Sequence, residues 1–392
     1  MNTEFKNDYL EIKEEIIAIR RKIHQNPEVG YNEFETSKTI CECLERHGIP
    51  YTYPIAKTGI CAYVGKENGG KNVLIRADMD ALPIEEESGL EFASQNKGVM
   101  HACGHDLHIA GALAACVMLK KHEAELSGII KFMFQPDEEQ DGGALPMIQE
   151  GILENPRPDA CIGIHVSPSY ETGDLYFKSD ALMAAPDDFC IKFIGKSAHG
   201  AEPHNGINPI EAACEFVTVI KDEMKKEIDF SKNVMTVCEF NAGFSYNIIP
   251  DIATVEGTFR SFSNEERDKA NEILTKTASK ICEKYGAKAE TTYNYRYPPL
   301  INNKEICDFA ISCAKDEFGE DKIKYFEKPL MTGEDFAYLA QEIPSVFIWS
   351  GCKDKNHECS LHSSKFVANE DVIENGARMF VKFAIEYVNQ NK

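Results

Sequence analysis

Four short apolar runs in this sequence each lead into residues that can bind a metal ion, and this pattern limits the possible folds more than any other feature. Each run has the length and composition of a buried β-strand. The runs and the residues that follow them are 73–75 before Asp78 and Asp80, 129–134 before Glu138 and Glu139, 160–164 before His165, and 346–349 before a loop that ends at His362.

Helical patterns alternate with these runs, so the sequence predicts an α/β fold with a mostly parallel sheet and helices on both faces. In such sheets, binding sites form at the carboxyl ends of the strands. Separate strands that all lead to carboxylate or imidazole groups at that edge predict a single metal centre.

The middle of the chain shows a different order of elements. The predicted elements are a strand at 188–193, a helix at 206–226, strands at 234–240 and 252–262, a helix at 264–285 and a strand at 287–295. This β-α-β-β-α-β order is that of a ferredoxin-like α+β domain. Ligand-bearing strands lie on both sides of it, so we predict an insertion at 185–297 between the two parts of a catalytic domain, 1–184 and 298–392.

The composition of the chain excludes several classes of protein. The net charge of −22 argues against binding to nucleic acid or to an anionic membrane surface. The first residues form no uninterrupted apolar run, and we expect neither a signal peptide nor a membrane span. The 14 cysteines are scattered along the chain, which favours reduced thiols and a cytoplasmic location.

The segment 100–108 holds one thiol, three imidazoles and one carboxylate within nine residues. A small, apolar stretch of helical composition follows at 109–119, so Cys103 and His105 are predicted to lie in a tight loop at a helix N-terminus. Gly104 lets the loop turn so that both side chains reach one ion. The helix dipole at that position is expected to favour the thiolate.

Five candidate ligands are more than a closed four-coordinate zinc site needs, so the set predicts two divalent ions that share a ligand. The ligands are Cys103, His105, Glu139, His165 and His362. Glu138 is predicted to be the general base that acts on metal-bound water. Asp80 is predicted to accept a hydrogen bond from a ligating imidazole, or else to cap a turn. The donor types admit zinc, manganese, cobalt or nickel.

Motifs along nearly the whole chain carry a family resemblance. They are H-Q-N-P-E-V-G-Y at 24–31, R-A-D-M-D-A-L-P at 76–83, M-H-A-C-G-H-D-L-H at 100–108, F-Q-P-D-E-E at 134–139, G-I-H-V at 163–166, S-A-H-G-A-E-P-H at 197–204, N-I-I-P at 247–250, G-T-F-R at 257–260, M-T-G-E-D-F at 331–336 and L-H-S-S-K-F at 361–366. The chain resembles the dinuclear-metal aminoacylase and carboxypeptidase metallohydrolases. Within them it resembles the amidohydrolase branch of hippurate hydrolases, indole-acetyl-amino-acid hydrolases and N-acetyl-diaminopimelate deacetylases.

The resemblance implies a zinc-peptidase-like catalytic domain that is interrupted by a lid domain, through which two subunits form a homodimer, or a tetramer. It implies that Cys103 bridges the two ions. It implies that His199, Asn247 and Arg260 bind substrate or the developing oxyanion, and His199 is predicted to act catalytically, within its own chain or across the dimer. Arg260, at the end of a strand, suits a substrate carboxylate, which a guanidinium binds with two hydrogen bonds.

The predicted activity is cleavage of an N-acyl amino acid into a carboxylic acid and a free amino acid. An N-acetyl-diaminopimelate deacetylase and a dipeptidase or carboxypeptidase are the alternatives with the same chemistry. A metal- or peptide-binding protein without catalysis is the alternative from another class, and the intact Glu138 argues against it. Two features depart from the family pattern, so the sequence does not identify the acyl group of the substrate. One is Asp137 together with residues 140–141, which flank the glutamate pair, and the other is the long loop 352–359.

Overall fold

A computed structural model describes residues 4–390 of the chain. The strands are β1 Tyr51–Ile55, β2 Gly59–Gly65, β3 Val73–Asp78, β4 Ile129–Gln135, β5 Ala160–Ser167, β6 Leu175–Phe177, β7 Asp180–Met183, β8 Ala185–Ile194, β9 Ala198–His199, β10 Val234–Ala242, β11 Ile248–Ile249, β12 Ile252–Ser261, β13 Lys288–Asn294, β14 Leu300–Asn302, β15 Ile323–Tyr325 and β16 Ser345–Gly351. The helices are α1 Glu4–Gln25, α2 Phe34–Arg46, α3 His105–Lys121, α4 Ala144–Gln149, α5 Pro209–Met224, α6 Asn264–Tyr285, α7 Lys304–Phe318, α8 Ala337–Glu342 and α9 Val372–Val388.

The described chain divides into two compact units. The first contains the residues up to Asp180, then Ile301–Lys328, and the residues from Tyr338 onward. The second contains Ala181–Leu300 together with Pro329–Ala337. The domain limits 184/185 and 297/298 lie near the ends of the longer segment of the second unit and stay a prediction.

The first unit is built on an eight-stranded sheet with the order β1-β2-β4-β3-β5-β16-β6-β15. Its centre, β4-β3-β5-β16, is parallel, whereas β2 and β6 join this centre as antiparallel neighbours. β3, β5 and β16 are buried along their whole length, as is expected of parallel strands with both faces covered. α3, which follows the metal-ligand segment, is also buried over most of its length and packs against α1 and α9.

The second unit contains an antiparallel sheet with the order β10-β12-β8-β13 and the two helices α5 and α6. The chain order β8-α5-β10-β12-α6-β13 is the predicted ferredoxin-like order. β12 alternates between buried and more exposed residues, because only one face of its sheet is covered by the helices. Asn208 and Ser263 cap the two helices, each with a side-chain oxygen that accepts a backbone N–H.

The predicted fold class is therefore confirmed: a large, mostly parallel sheet with helices, interrupted by a ferredoxin-like α+β unit. Within residues 4–390, none of the helices has the length and apolar character needed to cross a membrane.

Candidate metal centre

The candidate ligands lie at one edge of the first unit because their strands are neighbours in its sheet. β3 ends at Asp78, and β4 runs beside it and ends three residues before Glu138. β5 carries His165 opposite Trp349 of β16, and the loop after β16 carries His362. The backbone N–H of His362 donates to Ala102 O at 2.9 Å, which holds this loop beside the metal-ligand segment.

The turn before α3 depends on a glycine. Gly104 precedes the helix with a φ of 88°, in the left-handed region that glycine adopts at little cost. A Cβ at this position would lie 2.5 Å from Cγ2 of Val166, so the segment also approaches β5 too closely for a side chain. As a result, the Cys103 Sγ lies 3.4 Å from the His165 Nε2.

Two sets of metal-donor groups share Cys103. One set is Cys103, His105 and His165, and the other is Cys103, Glu139 and His362; within each, one donor atom per residue lies within 4.8 Å of the others. All five predicted ligands are thus brought together. Sulfur, imidazole and carboxylate donors around a shared cysteine are the chemistry expected of a site for two divalent cations.

Hydrogen bonds orient two of the imidazoles. His165 Nδ1 is 2.7 Å from Val166 O, so this nitrogen carries the proton and Nε2 presents its lone pair on the side of Cys103. His105 Nδ1 is 2.8 Å from Asp80 O, and His105 Nε2 is buried without a hydrogen-bond partner among the described residues. That nitrogen lies 3.8 Å from Glu139 Oε1. A cation between such atoms would satisfy both, so the residues present fit a metal site.

The electrostatics of the centre also favour a bound cation. Burial raises the pKa of the Cys103 thiol well above its ordinary value, and the charges of Glu139 and Glu138 raise it further. The thiolate expected at this position stays a prediction for the metal-bound centre. Burial lowers the pKa of His105, but Asp78, Asp80 and Glu139 raise it to about 10. Divalent cations would neutralise this excess of negative charge and stabilise the thiolate.

Asp80 holds the glutamate pair in place. Its two carboxylate oxygens accept the backbone N–H groups of Glu138 and Glu139, at 3.0 and 3.1 Å. Oδ1 also lies 3.3 Å from His105 Nδ1. One carboxylate therefore connects a candidate ligand to the turn that carries the candidate base, and Asp80 orders that turn in addition to its predicted contact with an imidazole.

Asp78 and His108 form a buried support that the sequence analysis did not assign. His108 Nδ1 is 2.5 Å from Asp78 Oδ1, and His108 Nε2 accepts the backbone N–H of Val166 at 2.9 Å. Both ring nitrogens are thereby occupied. Arg76 Nη1 donates to Asp78 Oδ2 at 2.7 Å. The motif R-A-D-M-D contained the signal, because an arginine and an aspartate two residues apart on a strand lie on the same face.

Asp137, the departure from the family pattern beside the glutamate pair, is buried and has a φ of 52°. Its carboxylate lies so close to Gly30 that a Cβ there would be 1.6 Å from Oδ1. The other oxygen accepts the backbone N–H of Asp141 at 3.1 Å, and Glu33 Oε1 accepts the backbone N–H of Asp137 at 3.0 Å. This side chain therefore helps to close the turn that follows the glutamate pair.

The candidate substrate-binding residues lie in the second unit, which is described by itself. β9 pairs with β11 so that His199 faces Ile248, and Gly200 N donates to Asn247 O at 2.8 Å. His199 and Asn247 are thus close neighbours. His199 Nδ1 accepts the backbone N–H of Ala201 at 3.1 Å, so in the neutral imidazole the proton is on Nε2.

Arg260 lies near the carboxyl end of β12, as predicted. Among residues 4–390, its hydrogen bonds all start from Nη1, with Asp187 O at 3.2 Å as one acceptor. Within the same range, the Nε and Nη2 groups of this guanidinium keep their donor hydrogens unused.

The fold and the shared-cysteine donor sets together define a metallohydrolase of the zinc-peptidase class. The chain belongs to peptidase family M20/M25/M40, whose model matches residues 74–386. Thermostable carboxypeptidase 2 of Saccharolobus solfataricus is 39% identical over 98% of each chain. N-acetyl-L-cysteine deacetylase of Bacillus subtilis is 35% identical over 98% of this chain and 94% of its own. The crystal structure of a dinuclear metal binding M20 peptidase of Bacillus subtilis superposes with a TM-score of 0.83 at 33% identity, covering 95% of this chain and 98% of that one. The family resemblance predicted from the motifs is confirmed.

Proposed function

We propose that this protein is a metal-dependent amidohydrolase that cleaves N-acyl amino acids into a carboxylic acid and a free amino acid. The observation that carries the proposal is the pair of donor sets that share Cys103, with Glu138 directly beside the ligand Glu139. The named deacetylase relative acts within the same chemical class. A catalytically inactive binding protein would have no use for this carboxylate.

Two divalent ions per subunit, of zinc, manganese, cobalt or nickel, are proposed to be held by Cys103, His105, Glu139, His165 and His362. When bound, such ions polarise the amide carbonyl and supply positive charge opposite the developing oxyanion. The side chains of the protein are proposed to carry out the proton transfers. Glu138 is proposed to take a proton from the attacking water and to return it to the leaving amine nitrogen. Asp80 is proposed to hold Glu138 in position through its backbone N–H.

The second unit is proposed to bind the rest of the substrate. Arg260 suits the α-carboxylate, because the Nε and Nη2 side of its guanidinium can form two parallel hydrogen bonds. The Nε2–H of His199 can donate to an oxyanion, with Asn247 beside it. As limits of the inserted lid domain we propose 185–297.

We propose that the protein is a homodimer, or a tetramer, formed through this unit. β10 is an edge strand, and the loop after it exposes Phe244 and Tyr246, at 82% and 101%. Exposed aromatic residues beside an edge strand, which has one unpaired side, are typical of an interaction surface. We also propose a cytoplasmic location, since the 14 cysteines are free thiols.

A carboxypeptidase activity is the second candidate, favoured by the name of the relative that is 39% identical. An assay of amine release over N-acyl amino acids and dipeptides separates the two. We expect the N-acyl amino acids to be hydrolysed faster, activity to be lost on treatment with a chelator, and activity to return with added metal. Full turnover in chelated enzyme with no detectable metal would contradict the proposal.

A further inference from the structure

A second group of metal donors lies on the first two helices, among residues that are not part of the candidate centre. One donor atom each from Glu15, Cys43 and His47 lies within 4.8 Å of the other two. Cys43 and His47 are four residues apart along α2 and its C-terminal cap, so both side chains fall on one face. Glu15 comes from α1. Local sequence patterns do not reveal this group, because Glu15 precedes Cys43 by 28 positions and lies on another helix.

The geometry is close to that of a zinc site. His47 Nε2 lies 3.1 Å from Glu15 Oε2, close to the separation of two ligands on one tetrahedral ion. Zinc–ligand bonds of about 2.0–2.3 Å place the ligand atoms of such a group roughly 3.3–3.5 Å apart, so donors at the 4.8 Å limit need to approach one another by about 1.5 Å at most. Glu15 and His47 are 28% and 24% exposed, so their side chains have room to make this movement.

The existing contacts do not oppose a bound ion. Glu15 Oε1 accepts a hydrogen bond from Arg46, which leaves Oε2 on the side of His47. This ion pair is exposed, and such pairs contribute little to stability. A cavity of about 280 Å³ lies beside one member of the group, His47. Cys43 is fully buried.

We propose that Glu15, Cys43 and His47 bind a zinc ion that links α1 to α2, in addition to the ions of the catalytic centre. Sulfur, nitrogen and oxygen donors in this combination are typical of zinc, with cobalt as a close substitute. Binding converts the Cys43 thiol to a thiolate and releases its proton to solvent. Three protein ligands leave one coordination position to solvent.

The proposal is tested by the metal content of the full-length protein after saturation with zinc and desalting. Wild type should hold one more zinc per chain than Glu15→Gln or His47→Ala, both of which change partly exposed side chains. Cys43→Ser should behave likewise, and with cobalt it should lose part of the thiolate charge-transfer absorption. The matched controls are Cys41→Ser, on the same helix, and His122→Ala, which contacts the carboxylates of Asp8 and Glu125 without a thiol.

Both controls should keep the wild-type zinc content. Equal zinc in wild type, Glu15→Gln and His47→Ala would overturn the proposal. An equal loss in His122→Ala would also overturn it, because this result would indicate general binding of zinc to helix-end histidines. Since the readout is metal content and not turnover, the result is independent of the proposed hydrolase activity.

Discussion

At the scale of single residues, the two adjacent glutamates have different surroundings and different proposed roles. Glu139 lies 3.1 Å from His362 and belongs with it to a donor set that contains Cys103. Glu138 is buried, its backbone N–H is held by Asp80, and its carboxylate lies in a further donor set with His105 and Glu139. Both residues lie in the turn after β4, and we propose that Glu139 serves as ligand and Glu138 as base.

Glu138→Gln should lower kcat by about 10²–10⁴-fold, the usual contribution of a general base, because an amide cannot accept the proton. The bound metal should stay at the wild-type amount, since Glu138 is not a proposed ligand. Turnover and metal content of the same preparation check both expectations. Asp141→Ala is the matched control, because it removes a negative charge from the same turn at an exposed position. Wild-type turnover in Glu138→Gln would rule out its role as base.

Arg260→Lys should impair hydrolysis of a substrate with a free α-carboxylate, although the charge is retained. An ammonium lacks the planar pair of donors that binds both carboxylate oxygens. The comparison substrate is the same N-acyl amino acid with its carboxylate capped as an amide, whose kcat/KM should change little. An equal loss of kcat/KM on both substrates would contradict the assignment of Arg260.

At the scale of elements, the turn into α3 links backbone conformation to the candidate metal centre. Gly104 combines a φ of 88° with close contact to Val166 of β5. The same turn positions Cys103, which belongs to both donor sets. Strain in this turn should therefore affect stability and metal binding together.

Gly104→Ala should lower the melting temperature and reduce the bound metal. Left-handed backbone costs a residue with a Cβ about 1–2 kcal/mol, and the Cβ would meet Val166 Cγ2 at 2.5 Å. Gly286→Ala at the end of α6 is the control, because its φ is 68° but no atom lies within 4 Å of the added Cβ. The control should show a smaller drop in melting temperature and normal metal content, measured by calorimetry and elemental analysis. Normal metal content in Gly104→Ala would show that the turn tolerates a side chain.

At the scale of the whole molecule, the proposed dimer makes a test of His199 possible. If His199 acts across the subunit interface, then an inactive Glu138→Gln chain mixed with an inactive His199→Ala chain forms heterodimers in which one site has both residues. Activity should recover to a fraction of wild type after subunit exchange. If His199 acts within its own chain, no site in the mixture is complete.

The mixing experiment needs independent proof of exchange, for example by native mass spectrometry of chains with different tags. If exchange is confirmed and activity does not recover, His199 does not act across the subunit interface. Full activity of His199→Ala alone would exclude a catalytic role for His199 in either arrangement.

The sequence by itself determined the class of fold and the donor set, for local reasons. Strand-length apolar runs and helical spacing can be recognised in short windows of the chain, and the order of these elements predicts the ferredoxin-like unit. The ligand-type residues Asp78 and His165 lie at or near the carboxyl ends of their strands, as the runs predict. Parallel neighbours then place those ends at one edge, which is a general property of such sheets.

Only the tertiary structure decided which partners each side chain meets. The link from Asp80 to the glutamate turn, the buried pair of Asp78 and His108, and the approach of Asp137 to Gly30 join residues separated by about 30–107 positions. The rise in the pKa of the Cys103 thiol is also a tertiary effect, because it comes from burial and from carboxylates that are distant in the sequence. Such contacts depend on packing in three dimensions, and hydrophobic periodicity along the chain does not encode them.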